Sequence, residues 1–285
     1  MTGRLEHIHV AAEAGGSMRP LDETQVIAGI GLAGDRYARR EGFWQDDRVS
    51  RDLTLVEAEA LEAVRRDHGI DLAPGETRRN LTTRGVSLEA LIDRYFWIGG
   101  VLARGTSRCD PCQHLADVTG KPVLRPLVRK GGLRADCLLG GKIQVGDPIQ
   151  PTEEQRGVGV LVVRNGNVLL GRRRSPRGHG TWSFPGGKPN DNESAQACAL
   201  RELYEETGLI GTKPELIGQT LAGLPESREV FRTDFIRVQI APGEPELREP
   251  DKTEGWTWYR WQSLPLPLFP PVAAFIASAR NPNAF

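Results

Sequence analysis

The stretch Gly187-Lys-Pro-Asn-Asp-Asn-Glu193, followed seven residues on by Arg201-Glu202-Leu203-Tyr204-Glu205-Glu206-Thr207-Gly208-Leu209, decides how the second half of this 285-residue chain is read. It predicts a helix over about 194–207, entered from a Gly-Gly-Lys-Pro loop and stopped by Gly208, a residue that suits a helix C-cap. At about 100° per residue, Glu202, Glu205 and Glu206 stand in the i, i+3, i+4 relation and share one helix face. Charges so placed repel. The ordinary fate of a Glu-rich helix is a solvated face. Three carboxylates on a semi-rigid scaffold are also a set of hard oxygen ligands, and Mg²⁺ suits such a set because it keeps several waters and recruits substrate phosphates. Glu193 and Arg201 are spaced to tie loop to helix.

The segment resembles the Nudix box, Gly-x5-Glu-x7-Arg-Glu-aliphatic-x-Glu-Glu-x-Gly-aliphatic, at every fixed position, with Leu203 and Leu209 in the aliphatic places. The likeness extends over most of 157–285, through Gly180-Thr-Trp-Ser-Phe-Pro-Gly-Gly187 and Glu249-Pro-Asp-Lys-Thr-Glu-Gly-Trp-Thr-Trp258, and looks like that of small nucleoside triphosphate pyrophosphatases. The resemblance implies an α/β/α sandwich and a loop-helix-loop that holds Mg²⁺, with Mn²⁺ as a substitute, through Glu202 and Glu206, with Glu205 and the Gly187 carbonyl as further ligands. It also implies catalytic roles for Glu202, Glu205 and Glu206. Glu205 is the expected general base, with Glu246, Glu249 and Glu254 as rivals on later segments.

Anionic substrates need cations. Arg172, Arg173, Arg174 and Arg177 form a basic cluster before the box, and Lys188 and Lys252 add to it; the alternative is a solvated basic turn. Arg172, Arg174, Lys188 and Lys252 are the expected phosphate contacts. Trp182 and Phe184 are the expected base platform among the aromatics Phe231, Phe235, Trp256 and Trp258, each of which is alternatively core.

Outward from the box, 285 residues exceed one ordinary domain, and two are expected: 1–152 and 153–285, with a linker at 148–157 where Asp-Pro and Pro-Thr precede a polar run. Lys plus Arg equals Asp plus Glu at 37 each, so net charge gives no reason to expect long nucleic acid or an anionic membrane. No apolar run approaches the ~18 residues of a membrane span, and four cysteines (Cys109, Cys112, Cys137, Cys198) do not make a disulfide framework; a cytoplasmic protein is expected. A homo-oligomer is compatible with these features. β-like runs at 53–56, 96–102, 123–128 and 142–145, with a helix over 57–67, predict a β-rich barrel-like first half. In the second half, runs at 158–163 and 168–170 flank Asn165-Gly166, a hairpin signal. Further strands are expected at 229–240 and 255–261, and a last apolar helix at 271–279. The fold class is α+β.

Cys109-Asp-Pro-Cys112 with His114 is the other constellation. By spacing alone it fits a zinc site, a redox pair, a reactive thiol near Arg108 or no function. Together with Gly34-Asp35-Arg36-Tyr37, Arg79-Asn80-Leu81-Thr82-Thr83-Arg84-Gly85 and the run from Gly131 to Asp147, it resembles a small MOSC domain over about 1–150, the module named for the C-terminus of molybdenum-cofactor sulfurases. That resemblance implies a β-barrel in which Cys112, with Cys109 nearby, carries sulfur or meets the molybdenum cofactor, and in which Arg36, Arg79 and Asn80 line the anionic cofactor's pocket. A cofactor-free scaffold is the alternative.

The expected activity is Mg²⁺-dependent hydrolysis of a nucleoside polyphosphate, a (d)NTP or a damaged one, to the monophosphate plus pyrophosphate. Two alternatives stay open: a nucleotide sensor without turnover, and a molybdenum-cofactor or sulfur-carrier protein with an accessory nucleotide-hydrolysing domain. Detoxification of base analogues would join the two halves.

Overall fold

The computed structural model describes residues 2–42 and 52–278. The chain divides into two compact units, Met1–Glu153 and Glu154–Phe285. Among the described residues no helix is long and apolar enough to cross a membrane. The architecture is strand-rich.

The first unit contains β1 (Gly3–Val10), β2 (Arg19–Leu21), β3 (Glu23–Ile27), β4 (Gly31–Leu32), β5 (Leu53–Glu57), α1 (Ala58–His68), β6 (Leu81–Arg84), β7 (Tyr95–Ile98), β8 (Val101–Arg108), α2 (Gln113–Thr119), β9 (Leu133–Leu139), β10 (Gly141–Gln144) and β11 (Pro148–Thr152). Seven strands run in the order β1-β6-β5-β9-β8-β7-β11, and β11 pairs back onto β1 with Ile149 opposite Gly3, closing a barrel. Closure removes the exposed edges that an open sheet would present. Leu5, Ile8, Leu55, Leu81, Phe96 and Ile98 fill the interior. Outside the barrel, Leu61 and Val64 of α1 pack on Val56 with Leu115, Val123 and Leu127.

Three expectations need correction here. Residues 123–128 form turns rather than a strand, because Pro122 and Pro126 cannot donate to a ladder; Val123 and Leu127 supply apolar side chains to the α1 cluster instead. The run at 96–102 is two strands, β7 and β8, reversed at Gly99, whose φ of 56° lies in the left-handed region. No linker occupies 148–157: β11 pairs with β7, and the next strand begins at Glu154 and pairs with a strand of the second unit. Pro148 and Pro151 are tolerated within β11.

The second unit contains β12 (Glu154–Arg164), β13 (Asn167–Arg173), β14 (Trp182–Ser183), β15 (Gly186–Gly187), α3 (Ala195–Thr207), β16 (Gly211–Leu224), β17 (Glu229–Ile240), β18 (Thr253–Arg260) and α4 (Pro270–Ser278). The expected end of the last helix, Ala279, lies outside the described residues. Asn165 and Gly166 both take positive φ, 52° and 75°, as a tight β12–β13 hairpin requires. One sheet runs β14-β13-β12-β17-β16, with β15 on β12 and β18 on β13. β12 and β17 are parallel; β12 carries an apolar run from Val158 to Val163, while β17 interleaves its apolar residues with charged ones.

Alternation sorts the two faces of this sheet. Val158, Val160, Val162, Leu169, Ile236 and Val238 pack against Cys198, Ala199 and Leu203 of α3. Leu161, Leu170, Phe184 and Phe235 pack against Val272 and Phe275 of α4. The sheet thus has a helix on each face. The fourteen-residue β16 has no counterpart among the sequence expectations, since Gly211, Pro214, Gly218 and Gly223 interrupt its alternation; its pairing with β17 over almost its whole length holds it as a strand.

Candidate active site

Ser194 caps α3 by accepting from the Ala197 N–H at 3.1 Å, and Gly208 ends it with φ 72° and an N–H donated to the Tyr204 carbonyl. Between these caps the helix carries the acidic residues toward β15. Gly186 and Gly187 are required there by close approach. A Cβ on Gly186 would stand 2.1 Å from the Val158 carbonyl, and one on Gly187 would stand 2.3 Å from Glu202 Oε1.

The three carboxylates do not act alike. Glu202 is 9% exposed, and burial raises its pKa. The Gly186 N–H donates to Glu206 Oε2 at 2.9 Å; burial, with the charges of Glu202 and Glu249, pushes the Glu206 carboxyl up to about 8. Glu205 is different: its side chain is half exposed and accepts from Arg201 Nη1 at 2.9 Å. The reason is angular. Glu202 and Glu206 differ by about 40° around the helix, whereas Glu205 lies about 100° from Glu206, beyond the side that faces the loop.

Arg201 is the organising cation. It donates from Nε and Nη2 to Glu193 at 2.9 and 2.8 Å and from Nη1 to Glu202 at 2.7 Å. Hydrogen bonds from Arg201 and then from the Asn190 amide hold the Glu193 carboxyl down at about 2. Among the described residues no three His, Cys, Asp or Glu side chains converge as a ready cation cage. Arg201 and the Gly186 amide take the oxygens that would otherwise meet.

Of the rival acids, Glu246 pairs with Arg248 and Glu254 with Arg172. Glu249 differs from both: Oε1 accepts from Lys252 Nζ at 2.7 Å, while Oε2 is buried with no hydrogen-bond partner, and its charge acts on Glu206.

The expected substrate contacts scatter. Arg172 reaches Glu254 and the Gly180 carbonyl, and Arg174 reaches the Pro250 carbonyl at 3.0 Å. Arg173, between them, is the arginine on which the Glu206 charge acts, and its burial lowers its pKa. Strand alternation sends it away from its two neighbours, which is the signal that picks it out. Lys188 bonds Gln155 Oε1 and lies over the Phe231 ring, 5.3 Å from its centroid. Lys252 is occupied by Glu249. Phe184 is 4% exposed and meets Phe235 and Phe275 edge-on at 6.1 and 6.4 Å, while Trp182 stands edge-on to Tyr259 at 5.3 Å. Both pack in the α4-side core, on the sheet face opposite the acidic helix.

In the first unit, Asn80 and Arg79 are consumed by structure. Asn80 Oδ1 accepts from Thr54 Oγ1 at 2.8 Å, and its Nδ2 donates to Asp35 Oδ2 at 3.0 Å and to the His9 carbonyl at 3.2 Å. Arg79 donates to the carbonyls of Gly131 at 2.8 Å, Cys109 at 2.7 Å and Thr77 at 3.1 Å. It braces the Cys109–Asp110 turn and lines a cavity with Arg36 and Cys112. Arg36 is 4% exposed and pairs with Asp35 at 3.2 Å. Cys109 is buried and Cys112 half-buried, both as free thiols.

A NUDIX domain profile matches residues 153–278 and a MOSC domain profile matches 41–150. Over 80 residues the chain is 39% identical to the 8-oxo-dGTP diphosphatase of Proteus vulgaris, a match covering 27% of this chain and 70% of that enzyme. Over 86 residues it is 36% identical to the oxidized purine nucleoside triphosphate hydrolase of Danio rerio, covering 30% of this chain and 55% of that protein. The chain thus spans little more than half the length of this second relative. A crystal structure of a MutT NUDIX hydrolase from Burkholderia pseudomallei is 30% identical, with a TM-score of 0.41 over 44% of this chain and 95% of that one. The chain belongs to the Nudix family through its second unit, and its first unit is similar to the MOSC domain over residues 41–150.

Proposed function

We propose that the second unit hydrolyses a phosphoanhydride of a nucleoside polyphosphate, a (d)NTP or an oxidised one, to the monophosphate and pyrophosphate, as a cytoplasmic nucleotide-pool activity. The observation that carries this reading is the seating of Glu202 and Glu206 of the acidic helix against the Gly186–Gly187 backbone. The same arrangement fits Mg²⁺. Burial raises the pKa of Glu202 and Glu206, Glu249 has a buried oxygen with no hydrogen-bond partner, and a Cβ on Gly187 would strike Glu202, so a cation drawn into this crowd of carboxylates would offset its charge. Glu202, Glu206 and the Gly187 carbonyl would hold it, with Mn²⁺ as a substitute. The chemistry gained there is neutralisation of the diphosphate oxygens and activation of water.

The chain's own residues supply the rest. Arg201 holds Glu202 and Glu193 together, so the loop and helix keep one geometry as substrate enters. Glu249 takes the base role ahead of Glu205, because its Oε2 has no competing donor while Glu205 is held by Arg201. Arg173, on which the Glu206 charge acts, is the cation for the phosphates, with Lys188 as the second.

A turnover screen tests this reading: ribo-, deoxyribo- and oxidised nucleoside triphosphates, dinucleoside polyphosphates and nucleotide sugars, each with Mg²⁺ and with chelator. Chelator-sensitive release of pyrophosphate from a triphosphate supports it. Hydrolysis of none, or of nucleotide sugars alone, overturns it.

A further inference from the structure

Arg172 and Lys252 each meet a carboxylate, Glu254 and Glu249 respectively, which offsets their charge. Arg173 and Lys188 are held differently. Arg173 donates from Nε to the Arg177 carbonyl and from Nη2 to Ser175 Oγ, both at 2.9 Å, and lies over the Phe269 ring, 4.3 Å from its centroid. Lys188 donates to Gln155 Oε1. A carbonyl, a hydroxyl and an amide oxygen fix a cation's place without cancelling its charge, which suits a group that has to meet a phosphate.

The acceptors of both cations lead back to one carboxylate. Glu229, at the start of β17, accepts from Arg177 Nε and Nη2 at 2.7 and 2.8 Å and from Gln155 Nε2 at 3.1 Å. Its side chain is only 14% exposed. On one branch, the clamp on the Arg177 guanidinium anchors the turn whose carbonyl receives Arg173. On the other, a carboxylate can only accept, so the Gln155 amide must turn its NH2 toward Glu229 and its oxygen toward Lys188. A neutral amide at 229 would satisfy either orientation. Arg177 holds the Glu229 carboxyl down at about 2, so the constraint persists throughout the neutral range. A paired arginine and carboxylate can also simply pin a loop to a strand, but that role would need neither Gln155 nor the Arg177 carbonyl.

We propose that Glu229 is a positioning residue for substrate binding: through Arg177 and through Gln155 it sets where Arg173 and Lys188 stand when the phosphates of a nucleoside triphosphate enter. Glu229 itself touches no substrate. The inference rests on the hydrolytic function proposed above and adds to it the group that orders the two phosphate cations.

The variants are made in the full chain and assayed with the screened nucleoside triphosphate that the wild type hydrolyses fastest, in saturating Mg²⁺. Gln155→Met cuts the Lys188 branch, Arg177→Met cuts the Arg173 branch, and Glu229→Gln releases both while keeping the side chain's size. Each branch variant is expected to raise KM about threefold and Glu229→Gln about tenfold, with kcat within about twofold of the wild type, because the cations bind ground state and transition state alike. Adding Glu229→Gln to the combined Gln155→Met and Arg177→Met variant should leave KM where it was, since no branch remains to carry the effect. A merely structural role gives another pattern: fewer folded molecules lower kcat and the melting temperature and leave KM unchanged. Gln155→Met leaves the Arg177–Glu229 pair in place, so it reads the Lys188 branch even where Glu229→Gln costs stability.

Wild-type KM in both Glu229→Gln and Gln155→Met, or a further rise of full size when Glu229→Gln is added to the combined variant, overturns the proposal. Hydrolysis of no triphosphate by the wild type overturns the function beneath it, an outcome distinct from either.

Discussion

The backbone N–H of Gly186 donates to Glu206 Oε2 at 2.9 Å, so the loop before the acidic helix and the last carboxylate on that helix form one unit. The same carboxylate sits where burial and the charges of Glu202 and Glu249 disfavour its ionised form. Glu206→Gln keeps an acceptor for Gly186 and removes that cost. In chelator at pH 9 the variant should melt several degrees above the wild type, and Mg²⁺ should then raise the melting temperature of the wild type alone. Equal melting temperatures with and without metal would contradict this account of Glu206.

Gly187→Ala probes the same junction from the loop side. The new Cβ would stand 2.3–2.5 Å from the Glu202 carboxyl, which is hemmed in and paired with Arg201. Displacing a reacting-site carboxylate by about 1 Å costs on the order of 10²-fold in rate. The variant should show that loss in kcat with a native far-ultraviolet circular dichroism spectrum. Undiminished kcat would mean that Glu202 need not stay where the structure puts it.

The pH dependence of folding has a distinct source at Arg177 and Glu229, which meet through two hydrogen bonds of 2.7 and 2.8 Å. Hydrogen bonding from Arg177 holds the Glu229 carboxyl down at about 2, below its ordinary 4.5. A depressed carboxyl contributes stability above its unfolded pKa and loses it as pH falls toward the folded value. The contribution should therefore fade between about pH 4.5 and 2. Denaturant titrations of wild type and Glu229→Gln should differ at pH 6 and converge near pH 2. A gap that persists at pH 2 would assign the effect to packing.

Phe184 separates packing from substrate contact. It is edge-on to Phe235 and Phe275 in the core beneath α4. Phe184→Ala should destabilise the unit by about 3–5 kcal/mol. Phe184→Leu, which restores most of the volume, should recover stability and leave KM at the wild-type value. A raised KM in the Leu variant would restore Phe184 as a base platform.

The acidic helix, its Ser194 and Gly208 ends, the Asn165-Gly166 hairpin and the strand at 229–240 were legible because each has a short-range cause: a cap, a turn residue or an unbroken apolar period. β16 was not, because its cause is its partner strand rather than its own alternation. The unequal roles of Glu202, Glu205 and Glu206 were half legible. Helical spacing groups them, but only the approach of Gly186 and Gly187 shows which two face the loop. In the first unit, residue type favoured Arg79 and Asn80, yet it is folding that spends their donors on carbonyls and Asp35 and leaves Arg78 with an unpartnered nitrogen. No local pattern distinguishes adjacent arginines in this way.

Whether the carboxylates of α3 support phosphoanhydride hydrolysis is decided by kcat/KM for the best triphosphate of the screen in saturating Mg²⁺, wild type against Glu206→Gln, with products resolved by ion exchange. Monophosphate and pyrophosphate are expected from the wild type, with a loss of about 10²-fold or more in a variant that is at least as stable. Equal rates in the two proteins would contradict that role of the carboxylates.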